Sequence, residues 1–354
     1  MLCLCLTACG GNGEDVTTTE EAEITTAEPT TEAPPPANIN LLTGVADLSE
    51  GAYGKRPVAV MINNIKAALP QYGIACADIM FEVVVEGGIT RMMAIYGDYT
   101  QIPNVCSVRS CRYYFPIFAH GFDAVYCCYG SNPTLGTPTL QRIGIDYFDG
   151  QFYSALYARD SKRASAGYSS EHTAYLKGAD IPSILAKESV RSDIAQDKSE
   201  PIFNFNPEGA PAAVSSTSCT EAVLKFSNSY YSTFTYDEAT GKYLKQHSGK
   251  AHKDSSTGEQ LAYTNVFVLE TSVGSYQGMK IMEVDWKGGT GYYISNGTVA
   301  QIKWSKPTES APITVTDLNG VEINVNAGNS YFGVISPNST TLKGVEPDTT
   351  APAA

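Results

Sequence analysis

Between Gly11 and Asn38 the chain carries no aromatic residue and almost no aliphatic ones, while Thr, Glu, Ala and Pro abound. Such a stretch buries too little apolar surface to offset the entropy of ordering it. Any folded body must therefore be built from the residues after Asn38. The stretch reads as a tether ending in the stiff Pro34-Pro35-Pro36, with a span of roughly 30 Å by coil statistics. Just before it stands Leu6-Thr7-Ala8-Cys9-Gly10, where a leucine and two small residues precede a cysteine, the pattern cleaved in bacterial lipoproteins. The mature chain is expected to begin at Cys9, acylated on its thiol and amine. At roughly 0.8 kcal/mol per buried methylene, two or three acyl chains hold a protein on a bilayer. Residues 1–6 lack the Lys or Arg with which a leader usually starts.

Nothing beyond the leader approaches the ~18 consecutive apolar residues of a membrane-spanning helix. The formal charge of −13 overstates the acidity of the folded part. Seven acids of the tether (Glu14, Asp15, Glu20, Glu21, Glu23, Glu28, Glu32) supply −7 of it. Neither nucleic acid nor an anionic membrane face is an expected partner.

Periodicity divides the rest. Val58–Ile62, Ile79–Val85, Met92–Tyr96 and Ala124–Cys128 read as strands, two of them apolar enough to be buried on both faces. Proline near the first helical position marks helix starts at Thr137-Pro138 and Ile181-Pro182, and Ser110–Ala119 is a third helical candidate despite Pro116. From about Thr217 short strands alternate with turn residues. Asn296-Gly297 between Tyr292–Ser295 and Thr298–Trp304 is a type I′ hairpin signal, and Asn319-Gly320 between Ile313–Thr316 and Val321–Val325 repeats it. The expected class is α+β: a mixed α/β domain over 46–192, a linker over 193–216, a β-rich domain over 217–337 and a disordered tail over 338–354. The leader (1–9) and a disordered tether (10–45) precede them.

Several motifs resemble the YerB-like lipoproteins of Gram-positive bacteria, a two-part domain of unknown function (DUF3048). They are Arg56–Asn64, Ala77–Arg91, Ser107–Arg112, Gly258–Leu261, Gly289–Tyr292 and Trp304–Lys306. The resemblance covers most of the mature chain. It implies an architecture and an extracytoplasmic, lipid-anchored address, and brings no activity. The chain departs from the pattern at Cys106 and Cys111, where small residues are expected, and at Ser170–Thr173.

All eight arginines precede residue 192. Arginine presents a planar fork suited to carboxylate or phosphate, so an anion site is sought in the first half. Asn63 and Asn64 end a buried strand, Glu86 precedes Gly87-Gly88, and Arg91, Arg109 and Arg112 adjoin strand or helix ends, where α/β sheets gather ligand-binding groups. These six are the candidate ligand-binding residues. The bland reading pairs Glu86 with one arginine and Asp78 or Asp123 with another. His172, near Arg159 and Arg163, is a candidate general base, whereas His247 and His252 read as solvated. Paired tyrosines such as Tyr113-Tyr114 and Tyr230-Tyr231 could stack on sugar rings, although such pairs more often pack in sheets.

Six cysteines lie beyond the lipobox, and core thiols and disulfides remain equally open. Without a Cys-x-x-Cys pair no zinc site is expected, nor any cofactor. The sequence lacks a nucleophile elbow, S-x-x-K, H-E-x-x-H, Walker A and G-x-G-x-x-G. Two functional readings stand. One is a surface lipoprotein whose arginine-rich domain binds an anionic envelope component or protein. The other is a hydrolase of envelope polymer using Glu86 and His172 for acid-base chemistry.

Overall fold

The computed structural model describes residues 38–344. Cys9, the leader, most of the expected tether and the end of the tail lie outside the described residues.

The apolar runs of both sequence halves meet in one ten-stranded mixed sheet. In chain order its strands are β1 (Val58–Asn63), β2 (Ile79–Val84), β3 (Thr90–Tyr96), β4 (Val125–Cys128), β5 (Tyr147–Asp149), β6 (Asn265–Glu270), β7 (Gly288–Ser295), β8 (Thr298–Ser305), β9 (Thr314–Thr316) and β10 (Ser330–Ile335). Across the sheet they lie in the order β9-β8-β7-β6-β10-β2-β3-β1-β4-β5. β10 inserts parallel between β2 and β6, with Phe81 opposite Phe332 and Phe267 opposite Phe332. This corrects the two-domain expectation, because strands from either side of residues 193–216 share one hydrogen-bonded sheet.

Both faces of the sheet are covered, which explains why β1, β2 and β3 are buried at every position. Odd residues of β2 face an aromatic layer, where Phe81 stacks on Phe118 of helix α1 (Tyr114–His120) and on Phe332. Even residues face a smaller sheet in which strands 221–225, 231–237 and 242–247 pair as a meander, with Leu224, Phe234 and Tyr243 buried. The result is β-rich with few, short helices. Pro116 falls within the first turn of α1, where its missing N–H has no intrahelical acceptor to lose.

Three further expectations are corrected. The supposed linker packs into the core, where Phe203 stacks on Phe267 at 5.4 Å and Asn204–Phe205 pairs with Asn324–Val325. The second hairpin around Asn319-Gly320 still closes, with Thr316 bridging Glu322 and Ile323 N–H donating to the Val315 carbonyl, while 324–325 pair with 204–205 instead. The tail contributes strand 340–343, paired with 221–225, and the tether's end is packed, with Asn40 and Leu42 buried. The first hairpin forms as read, with Asn296 at φ 47° and Gly297 at φ 71°.

Candidate functional site

The segment after Cys106 crosses the ends of two strands and fixes the arginines. Asn63 N–H donates to the Ser107 carbonyl, Arg109 N–H to that of Met61, Tyr129 N–H to that of Arg109 and Cys111 N–H to that of Gly130. Arg109 and Arg112 are thereby held over the carboxyl ends of β1 and β4. Arg91 enters from the start of β3, directly opposite Asn63, and its guanidinium donates to the Ser110 carbonyl at 2.6 Å.

Glu86 accepts from Arg112 Nε at 2.8 and 2.7 Å. Burial alone would raise the Glu86 carboxyl, but the Arg112 hydrogen bonds and charge hold it below its ordinary value. That part of the bland reading is what forms. Asp123 also pairs with arginines, but with Arg191 and Arg56 rather than with Arg91 or Arg109, and Asp78 accepts from the Gly97 backbone. Arg91 is buried and makes no ion pair within 4.0 Å among the described residues. Burial, then Arg112 and Arg109, push its pKa down to about 10. Arg109 reaches the exposed Glu171 at 3.3 Å, while its Nε is buried with no partner among the described residues. Three guanidinium groups thus gather around two carboxylates, one of them loosely held.

His172 adjoins this group. Asn63 Nδ2 donates to its Nδ1 at 3.0 Å, which leaves the proton on Nε2, 3.5 Å from Glu171. Burial lowers the imidazole's affinity for a second proton, Glu171 opposes this, and Arg109 and Arg163 reinforce it. Glu86 and His172 are thus each held by their own partners, Arg112 for one and Asn63 with Glu171 for the other. An ionised Glu86 clamped by Arg112 is suited to orient a cation and poorly suited to deliver a proton.

Asn64 departs from this cluster and turns into the space between the two sheets. There Glu82 is fully buried. One carboxylate oxygen accepts from Asn64 (2.9 Å) and Thr90 (2.8 Å). The other accepts from Ser232 (2.9 Å), Tyr331 (2.8 Å) and Lys245 (3.1 Å). Lys245 Nζ also donates to Ser232 Oγ and to His252 Nδ1. His252 Nε2 then donates to Gln71 Oε1, and Gln71 donates to the Asn63 carbonyl and Asn64 Oδ1. His247 donates to the Asn64 carbonyl. His247 and His252 are therefore buried, against the expectation that they are solvated. Sequence patterning assigns no role to Glu82, although a lone acid inside the apolar run Ile79–Val84 is the available signal.

The six cysteines beyond the lipobox are all free thiols, and no cluster of potential metal ligands occurs among the described residues. An open groove lined by Tyr292, Gln301, Leu318 and Leu342 involves none of the candidate residues.

The models of the DUF3048 family, a protein of unknown function, match in two parts, the N-terminal domain over residues 42–191 and the C-terminal domain over 222–332. YerB of Bacillus subtilis (strain 168) is 30% identical over 260 residues, covering 71% of this chain and 73% of that protein. The chain belongs to the YerB-like family. A crystal structure of the YerB protein from Bacillus subtilis, 23% identical, superimposes with a TM-score of 0.73 over 85% of this chain and 98% of that one. At that identity the match shows a shared YerB-like fold. Every candidate residue from Asn63 to His172 lies within the N-terminal family match.

Proposed function

We propose that this chain is a lipid-anchored, extracytoplasmic binding protein that captures an anionic envelope component at Arg91, Arg109 and Arg112. Its Bacillus relative is named as a lipoprotein, Cys9 stands where acylation would occur, and no helix of the described residues is long and apolar enough to cross a membrane. The observation that carries the binding reading is the unspent donor capacity. Arg91 is buried without a carboxylate, and Arg109 Nε is buried without an acceptor. A buried donor left unpaired costs about 1–3 kcal/mol, a cost that an incoming oxyanion removes. Asn63 and His172 shape one wall. Glu86 orients Arg112 and, with Glu171, limits the site's excess positive charge.

Calorimetric titration of the full chain with inorganic phosphate tests this. Arg109→Gln removes the guanidinium while keeping a neutral polar side chain, and is expected to weaken phosphate at least tenfold with little change in Tm. Equal affinity in the variant defeats the binding reading. The anchor is tested separately: Cys9→Ser is expected to move the protein from the membrane fraction to the soluble one, and retention on the membrane would remove the acyl anchor from the reading.

A further inference from the structure

The turn beside the arginines carries a feature that the anion site does not use. Asp149 Oδ1 accepts from the backbone N–H groups of Gly130 (2.7 Å) and Gln151 (2.9 Å), tying the turn 149–153 to the residue next to Tyr129. Gly130, at φ 86°, leaves so little room that an added Cβ would lie 3.3 Å from Ser110 Oγ and 3.4 Å from Gln151 Nε2. Ser110 is the residue whose carbonyl holds Arg91, so the Gln151 amide and the Arg91 guanidinium flank the same short stretch.

Phe152 comes next, and at 79% exposure it is the most exposed large apolar side chain among the described residues. It has no aromatic partner among them, unlike Tyr153, which packs edge-on against Phe148. On the other side, the Arg159 guanidinium lies 4.5 Å over the Tyr129 ring. It also donates to the Ser170 carbonyl, one residue before the Glu171 that pairs with Arg109. A planar guanidinium–tyrosine stack therefore adjoins the arginine group, and an unpacked phenyl ring stands on the turn that Asp149 ties to Gly130. Flat apolar surfaces beside hydrogen-bonding cations match a pyranose, whose C–H faces stack on rings while its substituents take polar contacts.

We infer that the ligand is an anionic saccharide, its carboxylate or phosphate held by Arg91, Arg109 and Arg112 and its ring resting on Phe152 and the Tyr129–Arg159 stack. This rests on the anion-binding reading and adds the chemistry of the group that bears the charge. Gln151 supplies an amide for a ring hydroxyl.

The test titrates the full chain with inorganic phosphate, glucose 6-phosphate and a galacturonate oligomer. At least one of the two sugars is expected to bind tenfold or more tightly than phosphate, and which one does so identifies the anion. Phe152→Ala, at an exposed position, is expected to erase that advantage while phosphate affinity stays within twofold. Sugars that bind no better than phosphate, or an advantage that survives in Phe152→Ala, overturn the inference. Arg109→Gln separates the two levels. If it weakens all three ligands while Phe152→Ala weakens none, only the saccharide is lost; if it weakens none, the anion site falls as well.

Discussion

Glu82 and Lys245 show how a charge survives in a core. A buried ion pair is stable only when its remaining donors and acceptors are met, and here five donors surround the carboxylate while the ammonium uses three acceptors. Burial pushes the carboxyl up, and Lys245, His247, Tyr331 and Thr90 more than offset it, so Glu82 stays ionised. Removing one partner strands the other. Lys245→Met is expected to cost about 3–5 kcal/mol in urea unfolding, Glu82→Leu a similar amount, and the double variant clearly less than their sum. Additive losses would show that the two charges do not interact. In the sequence Glu86 stands out because it precedes two glycines. Glu82 is as visible, but only the partners supplied by distant strands give it meaning, Tyr331 being 249 residues away.

The element that brings Lys245 and the histidines is the strand 242–247 with the loop after it. Tyr243, Lys245 and His247 alternate inward, a period-2 pattern already present in the sequence. The abundance of lysine masks it, and gives the pair of histidines the look of a surface. The loop then docks on the turn after β1: Asp254 Oδ2 accepts from the N–H groups of Ile74 (2.6 Å) and Ala75 (3.0 Å). Burial holds His252 neutral, well below its usual pKa of 6.5, with Lys245 and His247 reinforcing this. The unfolded chain therefore binds a proton near that pH that the folded chain refuses, so His252 contributes a loss of stability as pH falls through the unfolded value. Asp78 acts in the opposite direction, since burial raises its carboxyl to about 6 and the folded form takes up a proton first. Comparison of variants cancels that contribution. Between pH 7.5 and 5.5 the Tm of the native chain is expected to fall further than that of His252→Gln, followed by circular dichroism. Parallel Tm profiles would mean the imidazole is not held neutral.

At the scale of the molecule, the family's two-part sequence division and the fold do not coincide. The family models break between residues 191 and 222, yet β10 lies between β2 and β6 and completes a sheet to which both halves contribute. Separated pieces 38–192 and 217–344 would each expose a long unpaired strand edge and half of an aromatic stack. Expressed alone, neither is expected to give a cooperative unfolding transition, whereas the whole chain should unfold in one step by fluorescence and circular dichroism together. A half that melts cooperatively by itself would restore two independent domains. The strands, the Asn296-Gly297 hairpin, the helix starts, the family and the clustering of arginine in the first half are all legible in the residues alone. Each is carried by spacing and turn chemistry between near neighbours, which act without the rest of the chain. Strand order, the burial of Glu82 with Lys245 and the histidines, and the meeting of Arg91, Arg109 and Arg112 beside Glu86 emerge only when the chain is folded. Those depend on which distant backbones share hydrogen bonds, a choice made by closing the whole sheet at once.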